Sequence, residues 1–403
     1  MIGTSEEAIK PMAHGAESED KHEHLGNRML KPTPQEALDR NEDGRFNLVR
    51  KLQQESVRSR VADIAPGQPA AGPYVAEIDP TTACNLSCPE CISGSLLNQG
   101  ALDHSRLIET IDDLAEMGTR AVIFIGGGEP MSFHGFSDLV RRVHGHGMAV
   151  GITTNGTLLS RHLSAVAECA SWTRVSVDAG TPESFAYFRP SRNNRLPLAH
   201  VVQEMERLAR VKRGALGYSF LLLKRDGRTN IADMVAATRQ AREIGCDYIE
   251  FKPSMNLDHS LTTWTADEFE TVRELIAESS AMATDSFRVL APVSMFHALA
   301  GPEDLAQPKD YSWCPATQLR TVITPSGCYA CPYHRGSPRF GYGDIGTRSF
   351  RELWSSPDRA KMLADLSPDR DCRFHCIRHF QNEAILSGAV ASSPHVSDYD
   401  PFI

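Results

Sequence analysis

No apolar run in the 403-residue sequence approaches the roughly 20 residues that a membrane-spanning helix requires. Its opening stretch, MIGTSEEAIKPMAHGAESEDKHEH, has no apolar core of the kind a secretion signal needs. Positive charge is also scarce: 42 Lys and Arg stand against 51 Asp and Glu, for a net charge of −9, and no basic stripe forms. That argues against nucleic acid as a partner. No short-period repeat of the solenoid kind recurs. The expectation is a soluble, cytoplasmic protein with no membrane or nucleic-acid partner, in which cysteines stay reduced. The chain has 10 of them. Three fall at Cys84, Cys88 and Cys91, and five at Cys314, Cys328, Cys331, Cys372 and Cys376. Clustered reduced cysteines are more often metal ligands than disulfides. Cys169 and Cys246 fall in helical or helix-end text and read as small core residues.

Residues 1–45 are polar and of mixed charge, which predicts a mobile N-terminal arm. Residues 46–73 read as a helix, FNLVRKLQQESVRSRVADIA, followed by the linker APGQPAAGP. From residue 74 to about 290, strand-like and helix-like runs alternate. YVAEID precedes SRLIETIDDLAEMG, where Leu107, Ile108, Ile111, Leu114 and Met117 recur at helical spacing up to Gly118. AVIFIGGGEP is the near-continuous apolar run of a buried parallel strand. Further strands fall in AVGITTNG, RVSVDAG, LGYSFLLLK and DYIEFKP, and the last helix in ADEFETVRELIAESSAMA. The pattern predicts an α/β fold, with parallel strands and right-handed crossovers in a partial (β/α)6 TIM-like barrel. Beyond it the text turns rich in Pro, Gly and Cys, which predicts a small C-terminal domain over residues 291–388 and a tail over 389–403.

In such a barrel the reacting groups collect on loops that leave the C-terminal ends of the strands. ACNLSCPEC follows the first strand directly and packs Cys84, Cys88 and Cys91 into one short loop. A structural zinc site would need a fourth protein ligand, and no nearby Cys or His offers one. A [4Fe-4S] cluster can use three thiolates and leave one iron open. The second strand ends in Gly127-Gly128-Glu129-Pro130. Glycines there allow close backbone approach, and a carboxylate can balance a bound cation.

The C-x3-C-x2-C spacing opened by CNL, with Gly-Gly-Glu-Pro after the second strand, resembles the radical SAM superfamily over roughly residues 74–255. The resemblance implies a [4Fe-4S] cluster on Cys84, Cys88 and Cys91, its open iron chelated by S-adenosylmethionine (SAM). Gly127, Gly128 and Glu129 would then meet the SAM ammonium group. Thr154 and Asn155 after the third strand, Ser176 and Asp178 after the fourth, and Arg189 in YFRPSR are similar to SAM-contact positions. Glu90 departs from the family pattern, in which that position is usually aromatic or apolar and packs near the adenine. A carboxylate there could accept from the adenine amino group or face solvent. The resemblance also implies a flavodoxin or ferredoxin reductant, reductive SAM cleavage, and hydrogen abstraction from an unactivated C–H bond in a dry lumen. Glu250 and Lys252 alternate onto one face of the sixth strand, either as lumen contacts or as an internal ion pair.

The C-terminal text, WCPATQLRTVITPSGCYACPYHRG followed by DCRFHCIRHF, resembles the SPASM or twitch extension of that superfamily. The cysteines are too few for two clusters, so one auxiliary [4Fe-4S] cluster is implied, on Cys314, Cys331, Cys372 and Cys376. Cys328 is left over, either as a bystander or swapped ligand or as a catalytic thiol that returns hydrogen to a substrate radical. A zinc ribbon is the other reading of the tail. The expected function is epimerisation or dehydrogenation of a sugar, aminocyclitol or oligosaccharide natural product, as in antibiotic tailoring. Modification of a ribosomal peptide is the alternative. An iron–sulfur electron-transfer protein and a zinc scaffold are the alternatives that are not enzymes.

Overall fold

The computed structural model describes residues 47–66, 68, 70–192, 196–256, 258–291 and 307–403. The expected N-terminal arm, and the start of the expected C-terminal domain, lie outside these.

Parallel strands β1 (Val75–Ile78), β2 (Ala121–Phe124), β3 (Ala149–Thr154), β4 (Trp172–Ser176) and β5 (Ala215–Leu222) lie side by side in chain order. A two-stranded hairpin, β6 (Lys224–Arg225) and β7 (Arg228–Thr229), follows β5. The sheet then continues through β8 (Tyr248–Pro253) to β9 (Arg288–Leu290). On its other side, β10 (Arg320–Thr324) pairs parallel to β1, and β11 (Gly327–Tyr329) turns back antiparallel to β10. The helices α1 (Glu55–Ala62), α2 (His104–Glu116), α3 (Phe136–Gly145), α4 (Leu163–Cys169), α5 (Pro182–Phe188), α6 (Leu198–Ala209), α7 (Met234–Ile244) and α8 (Ala266–Ser280) precede β10. The expected α/β partial barrel is therefore present. The sheet, however, does not stop at the expected domain boundary: a strand from the Cys-rich region extends it beside β1. The hairpin and α5 were not foreseen, because each is too short to establish a periodic pattern.

Local chemistry explains the elements. α2 begins where Asp103 accepts the Arg106 N–H at 3.0 Å, and it ends before Gly118, whose φ of +79° a residue with a Cβ adopts poorly. It turns Leu107, Ile111 and Leu114 onto the sheet, as its spacing predicts, while Ile108 packs at the edge of the core. Along the strands, alternate residues point outward to the helices or inward to a lumen. Val150 and Ile152 belong to the outer core, whereas Gly151 leaves room for the Trp172 ring on the inner face. Gly217 does the same for Tyr248.

A second apolar cluster closes the barrel at the N-terminal ends of its strands. Val75, Ala121, Ala149 and Trp172 meet Leu52, Val57, Phe402 and Ile403 there, with the Phe402 and Trp172 rings 5.3 Å apart. The segment expected as a C-terminal tail contributes Phe402 and Ile403 to this floor. Gln54 accepts the Tyr399 and Asp400 N–H groups at 2.7 and 2.8 Å, and buried Lys51 donates to Phe402 O at 2.7 Å. No helix among the described residues is long and apolar enough to cross a membrane.

Candidate active site

Cys84, Cys88 and Cys91 sit half-buried on the loop leaving β1. The loop after β2 supports them, as the Glu129 N–H and the Ser132 hydroxyl both donate to Ala83 O, at 2.8 and 3.0 Å. Gly128 makes that approach possible: a Cβ there would lie 2.4 Å from the Thr82 carbonyl carbon and 2.5 Å from Ala83 O. On the other flank, the Ser87 N–H donates to Pro190 O at 2.8 Å. Asn85 donates to the Thr157 hydroxyl and accepts from the Asn155 amide, both at 2.8 Å. Neither Asn85 nor Thr157 was singled out in the sequence; the CNL opening of the motif was the available signal.

Burial pushes the Cys84 thiol up to about 11, and Glu129 and the other two thiols add to the rise. Burial also raises Cys88, outweighing the nearby Arg189 guanidinium. For these two sulfurs burial disfavours the thiolate, and the cationic charge that metal binding brings would favour it. Among the described residues no three His, Cys, Asp or Glu side chains converge on a single ion position. Three sulfurs on one loop, each within electrostatic reach of the next, are a donor set suited to a polynuclear iron–sulfur centre.

Glu129 is buried and takes three donors: the Thr154 hydroxyl at 2.6 Å, the Asn155 N–H at 2.7 Å and the Met131 N–H at 3.1 Å. Burial nonetheless raises its pKa, so a cation beside it would be favourable. Asp178 adopts a left-handed φ of +54°, and its carboxylate receives Arg189 Nε at 2.7 Å and the Leu221 N–H, also at 2.7 Å. Arg189 Nη1 comes within 3.8 Å of Cys88 Sγ. Ser176 ends β4 on the same side, paired with Ser219 of β5. The structure therefore brings the triad, Gly127 to Glu129, Thr154, Asn155, Asp178 and Arg189 together at the strand C-termini.

Residues 78–235 match the family described as the radical SAM superfamily. The chain carries a radical SAM domain. Beyond it, the chain is similar to the mycofactocin maturase MftC of Mycobacterium ulcerans, 27% identical over 303 residues that cover 71% of this chain and 75% of the relative. It is also similar to GTP 3',8-cyclase of Chlorobaculum tepidum, 30% identical over 206 residues, covering 49% of this chain and 59% of that enzyme. The fold matches Streptococcus suis SuiB bound to its precursor peptide SuiA at a TM-score of 0.57 and 14% identity, covering 81% of this chain and 74% of that one. It matches anSMEcpe with bound AdoMet at 0.55 and 14% identity, covering 77% and 88%.

Within this radical SAM domain, Glu90 is largely turned away from solvent, and its Oε2 is buried without a partner, so it retains an acceptor. Its Oε1 accepts from Arg225 Nη1 at 2.7 Å, and Arg225 stacks 4.0 Å above the Tyr187 ring. The hairpin after β5 is thereby clasped to the cysteine loop. This partner was not legible because 135 positions separate it from Glu90. A second clasp reaches from the C-terminal region: buried Arg335 lies 2.7 Å from buried Asp79, just past β1, and donates through Nη2 to Oδ1 at 3.2 Å.

The inner face of the radical SAM barrel is charged. Arg174 of β4 and Lys252 of β8 both reach Glu250 Oε2, at 3.2 and 3.3 Å. Arg174 also lies within electrostatic reach of Glu77 on β1, three strands away, as the curvature of a barrel allows. Glu77 in turn pairs with Arg320 of β10. The Glu250–Lys252 pair expected from alternation thus exists, with Arg174 as a third member.

The C-terminal cysteines divide. Cys314, Cys331, Cys372 and Cys376 lie within electrostatic reach of one another, and burial raises all four. Asn382 donates to Cys314 Sγ at 3.3 Å, and His334 Nε2 lies 3.9 Å from Cys372 Sγ. Cys328 stands elsewhere, on β11 opposite Ile323, wholly buried in the outer core, within electrostatic reach of Asp344. A thiol with no exposed surface is not placed to return hydrogen to a substrate, so the structure does not favour the catalytic role entertained for it.

Proposed function

We propose that this chain is a radical SAM enzyme that modifies a peptide. The observation that carries the enzyme reading is the all-sulfur triad bordered by Glu129, Asn155 and the Asp178–Arg189 pair. Cys84, Cys88 and Cys91 would hold the cluster, with Glu129, Asn155 and Arg189 placed to meet a zwitterionic ligand beside it. Bound there, the cluster and SAM would supply reductive C–S cleavage and abstraction of a substrate hydrogen atom. The chain's own contribution is placement and dryness. Asp178 fixes the Arg189 guanidinium by two contacts, and the Glu90–Arg225 clasp covers the cysteine loop from the hairpin side. The floor of Trp172 and Phe402 closes the lumen below. Cys314, Cys331, Cys372 and Cys376 would hold one auxiliary cluster, with Asn382 supplying a hydrogen bond to a thiolate.

The choice of a peptide over the sugar-like substrate expected from sequence follows the relatives. MftC is named a maturase, and SuiB is seen with a precursor peptide. An N-terminal stretch too polar for a recognition module bears on how a peptide would be recruited rather than on what the lumen accepts. The test is anaerobic reconstitution followed by reduction in the presence of SAM. The parent should release 5'-deoxyadenosine, while Cys84→Ala, Cys88→Ala and Cys91→Ala should not. Release by these variants equal to that of the parent would sink the enzyme reading. Mass change of an oligosaccharide, with none on any precursor-like peptide, would restore the sugar reading.

A further inference from the structure

We propose that Arg174 and Lys252 form a carboxylate clamp that anchors an acidic group of the substrate inside the barrel. The inference rests on reading the lumen as the substrate chamber. It adds what the substrate must carry.

Three observations support it. First, the inner face has more cations than anions at this level. Glu77 is matched by Arg320, but Glu250 is the single carboxylate between Arg174 and Lys252, and one oxygen, Oε2, serves both. A partly buried cation that shares its counter-ion is incompletely compensated, and an incoming anion relieves that cost. Second, polar atoms next to the pair have no partner. Arg174 Nε is buried without a hydrogen-bond acceptor, and so is the hydroxyl of Thr153, the residue paired with Arg174 in the β3–β4 register. A guanidinium edge beside a hydroxyl is a donor set shaped for the two oxygens of a carboxylate. Third, the two cations remain accessible inside the barrel. Arg174 and Lys252 are 27% and 25% exposed, although both rise from strands whose flanking residues Val175, Ile249 and Phe251 are fully buried. Their free surface therefore faces the lumen.

The placement suits an anchor rather than a reacting group. Arg174 lies over the Trp172 ring of the floor, 5.6 Å from its centroid, whereas Lys252 is within electrostatic reach of Asp178 at the rim. A substrate held by its carboxylate here would extend upward toward the cysteine loop. For a peptide, the candidates are an Asp or Glu side chain or the terminal carboxylate.

The experiment uses the full-length, cluster-reconstituted protein saturated with SAM, so that Arg189 is engaged. Fluorine NMR line broadening of trifluoroacetate reports binding, and trifluoroethanol serves as the neutral control. The parent should broaden the acid and not the alcohol. Arg174→Gln and Lys252→Gln should each weaken binding by about tenfold or more, as loss of a charge-assisted hydrogen bond does. Glu250→Gln should tighten it, because the competing internal anion is removed. That opposite sign separates a clamp from a scaffold, since a purely structural ion pair loses function whichever member is changed. Parent-like binding in Arg174→Gln and Lys252→Gln overturns the clamp. So does weakening by Glu250→Gln, or displacement of the probe by inorganic phosphate at lower concentration than by acetate. Parent release of 5'-deoxyadenosine is scored separately. Its absence with the clamp intact defeats the enzyme reading, and its presence with no anion binding defeats the clamp.

Discussion

Gly128→Ala separates the demands of the cysteine loop from those of the barrel. A Cβ at this position would lie 2.4 Å from the Thr82 carbonyl carbon, 2.5 Å from Ala83 O and 2.6 Å from Thr82 O, whereas real Cβ atoms essentially never sit closer than 3.0 Å to a neighbour. All three obstacles are backbone of the cysteine loop, so no side-chain rotation relieves them. The loop must retreat by about 0.6–1 Å, at a cost of about 1–3 kcal/mol for overpacking. Against a total stability of about 5–15 kcal/mol, the barrel survives this. The sulfurs fare worse, because metal–ligand distances tolerate only about 0.2 Å. We expect circular dichroism to be unchanged and Tm to fall by a few degrees, while iron bound after reconstitution drops by about half as the cluster on Cys84, Cys88 and Cys91 is lost. Gly127→Ala is the matched control: its Cβ would meet only the Asp79 and Thr82 side chains, at 3.1 and 3.6 Å. If Gly128→Ala retains as much iron as Gly127→Ala, the close-approach argument is wrong.

Further outcomes follow from other sites. Glu129→Gln turns a buried acceptor of three donors into a group that accepts through one atom, a loss of about 1–3 kcal/mol. SAM affinity measured by equilibrium dialysis should weaken by about tenfold or more, and unchanged affinity would count against a Glu129–ammonium contact. Cys372→Ser and Cys376→Ser should each bind about four fewer irons per chain while SAM is still cleaved, and Cys328→Ser should lose none. Iron loss in Cys328→Ser would require a different ligand set. For Glu77, burial disfavours the charge, but Arg320 and its neighbours outweigh it and the pKa is lowered. A carboxylate with a depressed folded-state pKa stabilises above the unfolded value of about 4.3, and that stability is lost as pH falls through the folded one. Urea unfolding should therefore show a shallower acid limb in Glu77→Gln than in the parent; matching limbs would refute the ion-pair account.

What could be read from sequence was local or periodic. The cysteine triad, the Gly-Gly-Glu-Pro turn and the strand–helix alternation each occupy a few consecutive or evenly spaced residues, so spacing alone placed them at the strand ends. Glu250 and Lys252 came from the alternation of one strand. Pairings between distant segments stayed hidden: Glu90 with Arg225, Asp79 with Arg335, and Arg174 with Glu250 lie far apart in the chain. Arg174 itself sits in the strand RVSVDAG, where an inward arginine and an outward one look alike without the register of β3 and β5. The C-terminal segment read as a tail because Phe402 and Ile403 are two apolar residues after a polar stretch, too few to show a periodicity.

The pairing of β10 with β1 orders events in the life of the chain. Val75 meets Arg320, and Ile78 meets Ile323, so the first of the described strands gains its outer neighbour roughly 245 residues later. Until then its edge offers unpaired backbone groups to any passing strand, the situation in which nascent sheets aggregate. Its four residues are short and wholly buried in the finished sheet, which limits that template while it is exposed. Closing a contact of such separation is slow. A chain cut between β9 and β10 would therefore hold every residue of the radical SAM domain yet leave β1 as a raw edge, and recombinant fragments that stop there should be recovered as aggregates rather than as a smaller working enzyme.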